Sequence, residues 1–585
     1  MGARAKYNSR IHGFQLAVLL ITFCLSLDVV REAGAARGPQ KFSKADADHQ
    51  PDQALSYYAV GLKLMHREHV HALSSLGSAD FAGPREVMLN AIARSTSRVR
   101  YLNSRVLAKL GLNSPAAAAA PGFGSRDEDA HSRHALGQHD SLTGPSVSGA
   151  VGGALSTPAG GGGQEYFVSL KIGNPAQEVL LAVDTGSEIS WVQCTPCVFC
   201  YKQILPLFDP YSSSSYNVFN CSNENCQSSD GVSNVCSEGD GSCAYEATYG
   251  DGSDTWGSLS SETFTLQTSA TAAGRSTSAA DIIFGCGRVN EGLFVGSSGL
   301  LGMDRGTFSF ATQMSGIFGP GSQKFSYCMI DRIQHPNATS FLYLGSSSNN
   351  RGSSATTTVA SGDLAATAKA SRGHDLASDF AYTSMLNAAG MAPSLYYVGF
   401  LGITVGKQQL AIDPSVMELS PNGTGGTIVD SGTYISYLPE QVYIPLQNAI
   451  LEQANLQIAP QSNLTPGLQT CFLLKKSSKA AAGHTGTSSK SKVEDMSDLV
   501  LPPVVFQLEG GVDIELGFHN LVLGPFDPEG ELYCLAFVNT GPVVPSLGVA
   551  VILGNVQQQN FLIEFDLTNS RVGFKKTDCA TAVYA

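Results

Sequence analysis

The chain has 585 residues, 43% of them hydrophobic and 8% aromatic, with a formal net charge of −13. That is enough for two or three globular domains with a large buried core. The charge is uneven: residues 36–150 hold 13 basic and 10 acidic residues, whereas 151–585 hold 19 and 37, a balance of −18. Such an acidic body repels nucleic acid and anionic membrane, which argues against both as partners, and suits work where carboxylates are partly protonated. Plain solubility explains the same charge without any function.

At the N-terminus, Arg4, Lys6 and Arg10 precede an apolar run from Phe14 to Leu27, and Ala33-Gly34-Ala35 follow as a cleavage point. This is the form of a secretory signal peptide over residues 1–35. An uncleaved anchor is the alternative, but the run is short for roughly 30 Å of hydrocarbon, so no stable membrane anchor is expected in the mature form. Cys24 leaves with the signal, and 12 cysteines remain between Cys194 and Cys579. An even number in an oxidising compartment argues for disulfides throughout. Cys194, Cys197 and Cys200 have a spacing that also suits zinc, but no second half-site or histidine accompanies them, so no metal is expected.

Residues 36–150 read as a propeptide and linker. Between Pro84 and Leu110, Met88, Ile92, Val99, Leu102, Val106 and Leu110 recur at mostly helical intervals among Arg94, Arg98, Arg105 and Lys109, predicting a basic amphipathic helix. Ala116–Ala120 and a Gly/Ser/His-rich stretch to Gly163 lack the apolar residues for a core. The opposite charges of segment and body, +3 against −18, suggest a removable piece lying on the acidic body, cut between residues 120 and 160; a solvated arm is the alternative. Seven of the 12 histidines lie here, including His66, His69 and His71. Protonating them strengthens the attraction, so they do not read as an acid-release switch.

From Glu165 onward short apolar runs alternate with Gly, Ser and Pro: Glu165–Gly173, Ile282–Gly285, Leu395–Phe400 and Phe561–Phe565. Long helical periodicity is scarce, so the body is expected to be all-β. A repeat organises it. Leu181-Ala182-Val183-Asp184-Thr185-Gly186-Ser187 returns as Thr427-Ile428-Val429-Asp430-Ser431-Gly432-Thr433. Each copy reads as a buried strand delivering a carboxylate into a tight turn. Gly302 of a Leu-Leu-Gly run lies 118 residues after Asp184, and Gly554 of an Ile-Leu-Gly run lies 124 after Asp430. Two related lobes are expected, 151–345 and 381–585, separated by a low-complexity insertion at 346–380. A second insertion occupies 477–499, and sequons stand at Asn220, Asn337, Asn422 and Asn463.

In order and spacing, Val183-Asp184-Thr185-Gly186-Ser187 with Trp191, then Tyr249-Gly250-Asp251-Gly252-Ser253, then Val429-Asp430-Ser431-Gly432-Thr433, then Ile552-Leu553-Gly554 resemble the pepsin-like aspartic proteases. The cysteine-dense stretch from Cys194 to Cys243 resembles the nepenthesin-type plant subgroup, and the likeness covers residues 160–580. It implies a bilobal all-β fold with the active site in the cleft between the lobes. It further implies Asp184 and Asp430 as a catalytic pair activating a water, with no cofactor. Thr185 and Ser431 would cross-link the two loops, Ser187 and Thr433 would bond the outer carboxylate oxygens, and Gly186 and Gly432 would let backbone amides approach. Tyr249 and Gly250 would form a flap over a protein or peptide substrate, with Trp191 supporting the tyrosine; core packing is the plainer role for Trp191.

The same resemblance implies disulfides Cys194–Cys197, Cys200–Cys286, Cys221–Cys243, Cys226–Cys236, Cys328–Cys579 and Cys471–Cys534. Glu188 stands where the subgroup usually has Asp. A secreted monomeric aspartic endopeptidase of the apoplast or vacuole is the resulting expectation. Competing readings are a catalytically silent inhibitor or binding protein on the same scaffold, and an adhesive surface protein resting only on the Ser/Gly-rich insertions.

Overall fold

The structure is a computed structural model that describes Val60–His66, Ile92 and most of residues 166–581. Outside the described residues lie the signal segment, nearly all of 67–165 including the expected basic helix apart from Ile92, both low-complexity insertions, Gly250, and the sequons at Asn337, Asn422 and Asn463.

An antiparallel sheet joins the two halves of the body. Its strands run in the order Ala381–Leu386, Arg571–Lys576, Phe561–Asp566, Lys324–Cys328, Ser340–Leu344, Val60–His66 (β1) and Tyr166–Ile172 (β2). The junction is the ladder pairing Phe325 with Phe565, whose rings stack at 4.6 Å. Strand β2 shows the period-2 burial expected of its sequence, with Tyr166, Val168, Leu170 and Ile172 in the main core. The segment taken as accessory therefore contributes more than a linker. β1 lies between Ser340–Leu344 and β2, and the alternation in Leu62-Lys63-Leu64 is the signal that marks it.

The repeat becomes a repeated crossing. In the first lobe Gln177–Asp184 (β3) ends at its aspartate, and Gly299–Gly302 runs parallel to it with Gly302 opposite Asp184. On its other side that strand meets Trp191–Gln193 (β4) antiparallel. In the second lobe Thr427–Val429 lies parallel to Val551–Leu553, which also meets Ser436–Leu438 through Tyr437 and Ile552. The Leu-Gly strand thus threads between the two arms of each aspartate loop. That explains its glycine: a Cβ at Gly302 would sit 2.2 Å from the Glu188 carbonyl oxygen, and one at Gly554 2.5 Å from the Ile435 carbonyl carbon. Helix Glu440–Gln453 covers the second lobe with Val442, Tyr443, Leu446, Ala449 and Ile450, one apolar stripe at helical spacing.

The disulfides are Cys194–Cys286, Cys197–Cys200, Cys221–Cys236, Cys226–Cys243, Cys328–Cys579 and Cys471–Cys534. The last two pairs match the pattern implied by resemblance and the first four differ from it. β4 runs parallel to Ser276–Glu291 with Val192 beside Cys286, and the Cys194 amide donates to Gly287, which sets the Cys194 and Cys286 Cα atoms 5.5 Å apart. Cys197 and Cys200 then close their own loop at 6.1 Å. Cys236 and Cys243 face each other across a hairpin, and Cys236 pairs with Cys221 and Cys243 with Cys226, the reverse of the implied pattern. With all three thiols of the Cys194–Cys200 run oxidised, the zinc alternative loses its ligands. Among the described residues no group of three or more His, Cys, Asp or Glu is placed to hold a metal.

Candidate active site

Asp184 and Asp430 stand at the ends of matched strands, both essentially inaccessible to solvent. Their surroundings are equivalent bond for bond. Asp184 Oδ1 accepts the Gly186 amide at 3.0 Å and Oδ2 the Ser187 hydroxyl at 2.5 Å. Asp430 Oδ1 accepts the Gly432 amide at 2.9 Å and Oδ2 the Thr433 hydroxyl at 2.5 Å.

The next residues tie the loops together. The Thr185 amide donates to Ser431 Oγ at 3.0 Å and the Ser431 amide to Thr185 Oγ1 at 2.8 Å. Each hydroxyl then donates onward into the opposite strand, Thr185 to the Val429 carbonyl at 3.3 Å and Ser431 to that of Val183 at 3.1 Å. Four hydrogen bonds therefore cross from lobe to lobe directly beside the two carboxylates. Asn555 Nδ2 adds a bond to the Ser431 carbonyl at 3.1 Å.

Tyr249 lies at the end of a hairpin between Cys243–Thr248 and Asp254–Gln267, closed by its own amide on the Ser253 carbonyl at 2.7 Å. Buried Trp191 donates Nε1–H to the Tyr249 hydroxyl at 2.8 Å, so this indole does more than fill the core. Phe294, absent from the sequence reading, packs edge-on against both rings, 4.9 Å from Trp191 and 5.2 Å from Tyr249. Beneath the hairpin Tyr245 and Thr255 share a 2.6 Å hydroxyl contact, Thr255 donates to Asn290 Oδ1 at 2.7 Å, and burial pushes the Tyr245 phenol far above its ordinary value. Gly285 makes room for that ring, since a Cβ there would lie 2.3 Å from it.

Glu188 is buried, and its Oε1 accepts the Phe308 amide at 2.9 Å. The longer acid fits because Gly306 leaves the space: a Cβ would fall 2.4 Å from the Glu188 carboxyl carbon. Ile92, from the N-terminal segment, is buried with Leu395, Tyr397, Ile428, Tyr434 and Tyr437, beside the strand carrying Asp430, and its carbonyl accepts the Tyr437 hydroxyl at 3.4 Å. Asn220 is exposed, with its side-chain oxygen held by the Ser222 amide at 3.0 Å.

Two lobes that each present an Asp-hydroxyl-Gly loop, cross-bonded at their junction, with a tyrosine hairpin tied to Trp191 in the first lobe, define the pepsin-like class. Family models described as xylanase inhibitor N-terminal and C-terminal match residues 166–346 and 395–576. Aspartyl protease family protein 2 of Arabidopsis thaliana is 34% identical over 421 residues, 72% of this chain and 72% of that protein. Aspartic proteinase nepenthesin-2 of Nepenthes gracilis is 34% identical over 429 residues, 73% of this chain and 81% of that one. Among solved structures, conglutin gamma, a basic 7S globulin from lupine seeds, superposes with a TM-score of 0.50 at 16% identity over 71% of this chain and 94% of that one, a likeness of fold. The chain belongs to the pepsin-like aspartic proteases, in the nepenthesin-type plant subgroup, and is an aspartic-type endopeptidase.

Proposed function

We propose that Asp184 and Asp430 act together as a general acid and base, hydrolysing peptide bonds in proteins with a water held between them. The observation that carries this reading is the equivalence of the two carboxylates, each given one amide and one hydroxyl in loops bonded to each other. Hydrolysis by such a pair needs one carboxyl protonated and the other ionised. The ionised member takes a proton from the water as its oxygen attacks the peptide carbonyl carbon, and the protonated member donates to the carbonyl oxygen. When the tetrahedral intermediate collapses, the C–N bond breaks, the leaving nitrogen takes a proton from the carboxyl that had deprotonated the water, and the other carboxylate takes back a hydroxyl proton. Tyr249, steadied by Trp191, covers the substrate during this step.

The remaining expectations belong to the same proposal. The chain enters the secretory pathway through residues 1–35, carries a prosegment within 36–150, and works as a soluble monomer in the apoplast or vacuole, glycosylated at exposed sequons. The lobes span 151–345 and 381–585, with 346–380 as an inserted connection. Burial of Ile92 beside the Asp430 strand supports an inhibitory prosegment. The two ladders made by β1 mean that a cut between residues 120 and 160 frees the segment only once those hydrogen bonds break. N-terminal sequencing of the active form reads this directly: a start near residue 36 would exclude a prosegment.

The description of the matching family models favours a second reading, a silent inhibitor. Against it stand both aspartates and their complete sets of donors. The experiment is to compare the processed protein with its Asp184→Asn variant on a denatured protein at acid pH, checking that both are folded. Cleavage by the first and loss in the second is expected. Equal cleavage by both, or none by the wild type together with xylanase inhibition, would overturn the proposal.

A further inference from the structure

Beneath the four cross-lobe bonds lies a second set of contacts that the known roles of the motifs leave unused. Tyr396 belongs to the second lobe and is wholly buried; its hydroxyl donates to the Met303 carbonyl at 2.6 Å, in the first lobe. The amide of the same Met303 donates to the Asp184 carbonyl at 2.8 Å. Tyr327 belongs to the first lobe and is equally buried; its hydroxyl donates to Oε1 of Gln558 in the second lobe. The amide nitrogen of that Gln558 donates to the Asp430 carbonyl at 3.2 Å and to the Leu553 carbonyl at 2.8 Å. Each lobe thus sends one phenol across to the residue that holds the other lobe's aspartate by its backbone.

The rings form a rigid column. Phe565 lies 4.4 Å from the Tyr396 ring and 5.6 Å from that of Tyr327, and Phe325 stacks on Phe565 where the sheet joins the lobes. The Tyr396 carbonyl also accepts the Val429 amide at 3.1 Å, so this one residue touches the supports of both aspartates. Burial drives both phenols well above their ordinary value, with the nearby Asp430 charge adding to the effect on Tyr327 and that of Asp304 on Tyr396. Both therefore remain donors at any pH at which the protein works.

We infer that Tyr327 and Tyr396 are positioning residues for peptide-bond hydrolysis, a crossed pair of struts fixing the backbone of Asp184 and Asp430 relative to one another. The inference rests on the assignment of those two aspartates as the reacting pair. The bonds between Thr185 and Ser431 hold the residue after each aspartate; the struts hold Met303 and Gln558, the residues bonded to the aspartates' own carbonyls. Without a strut the carbonyl of one aspartate is still bonded, but its donor loses its anchor in the opposite lobe. The two carboxylates then sample separations at which the attacking water is misplaced. Such loss of alignment lowers the rate of the chemical step more than substrate binding.

The test uses the processed enzyme with Tyr396→Phe and Tyr327→Phe, each deleting one oxygen and keeping the ring. Tyr443→Phe is the comparison, because that buried hydroxyl meets Thr470 at 2.7 Å and bonds neither aspartate loop. Active sites are counted by titration with a tight-binding peptide that mimics the tetrahedral intermediate. Expected is a roughly tenfold or greater fall in kcat per titrated site for both strut variants with KM within about twofold, and an unchanged kcat for Tyr443→Phe at a similar loss of Tm. A kcat equal to wild type in either strut variant, or a fall no larger than in Tyr443→Phe, would overturn the inference. So would failure of both to fold, which would make the hydroxyls structural. Failure of the underlying assignment is read separately, as cleavage surviving in Asp184→Asn.

Discussion

Replacing Ser431 by Ala deletes one oxygen and should be felt in both lobes. Ser431 Oγ accepts the Thr185 amide at 3.0 Å and donates to the Val183 carbonyl at 3.1 Å, and Thr185 is wholly buried. Water does not replace these partners, so one N–H and one C=O lose a bond without solvation. At about 1–3 kcal/mol for each buried group left unsatisfied, the loss is about 2–6 kcal/mol. For lobes of this size that corresponds to a fall in Tm on the order of 10 °C by scanning calorimetry. Thr185→Val deletes a different pair of bonds, to the Ser431 amide and the Val429 carbonyl. If the four bonds act as one clamp, the double variant loses less than the sum of the singles by about 1 kcal/mol or more, because the first deletion already lets the loops part. A Ser431→Ala protein with wild-type Tm and kcat would refute the claim that this clamp holds the lobes in register. Strictly additive singles would show four independent bonds instead.

Three further outcomes can be checked. Trp191→Phe removes the 2.8 Å donor to the Tyr249 hydroxyl, a buried neutral bond of about 1 kcal/mol, so kcat/KM should fall roughly fivefold, and an unchanged value would detach the indole from the flap. Asp566 is buried, which raises its carboxyl pKa, but bonds from Asn569, Lys324 and Arg571 outweigh that and hold it below the ordinary value. Its stabilisation is fully present above the unfolded value of about 4 and is lost as pH falls through the folded one. The Tm deficit of Asp566→Asn should therefore be largest near neutral pH and shrink under strong acid; a deficit constant with pH would contradict this. Peptide mapping without reduction should recover Cys194 linked to Cys286 and Cys197 linked to Cys200, whereas a Cys200–Cys286 peptide would overturn the registers that set those pairs.

What could be read from the chain follows contiguity. The aspartate loops were legible because strand, turn and hydroxyl are neighbours in sequence, and their repetition made two lobes legible as well. The disulfide partners were not, since Cys194 reaches Cys286 only through a parallel pairing of β4 whose register no local pattern states. β1 is hard to read from the chain because Leu62-Lys63-Leu64 is brief and lies in a segment whose composition reads as a linker. Phe294, Tyr327 and Tyr396 look like ordinary apolar residues in the sequence; what distinguishes them is partners supplied by distant strands.

That the two carboxylates act as one site is tested most directly by cleavage with Asp184→Asn, Asp430→Asn and the double variant. With a denatured protein substrate at acid pH and folding verified for each, the account expects all three to fall by about a thousandfold or more to the same residual rate, since groups acting as a unit are lost together. A single variant that keeps a substantial part of the wild-type rate, or a double variant that falls by the product of the two single losses, would contradict it.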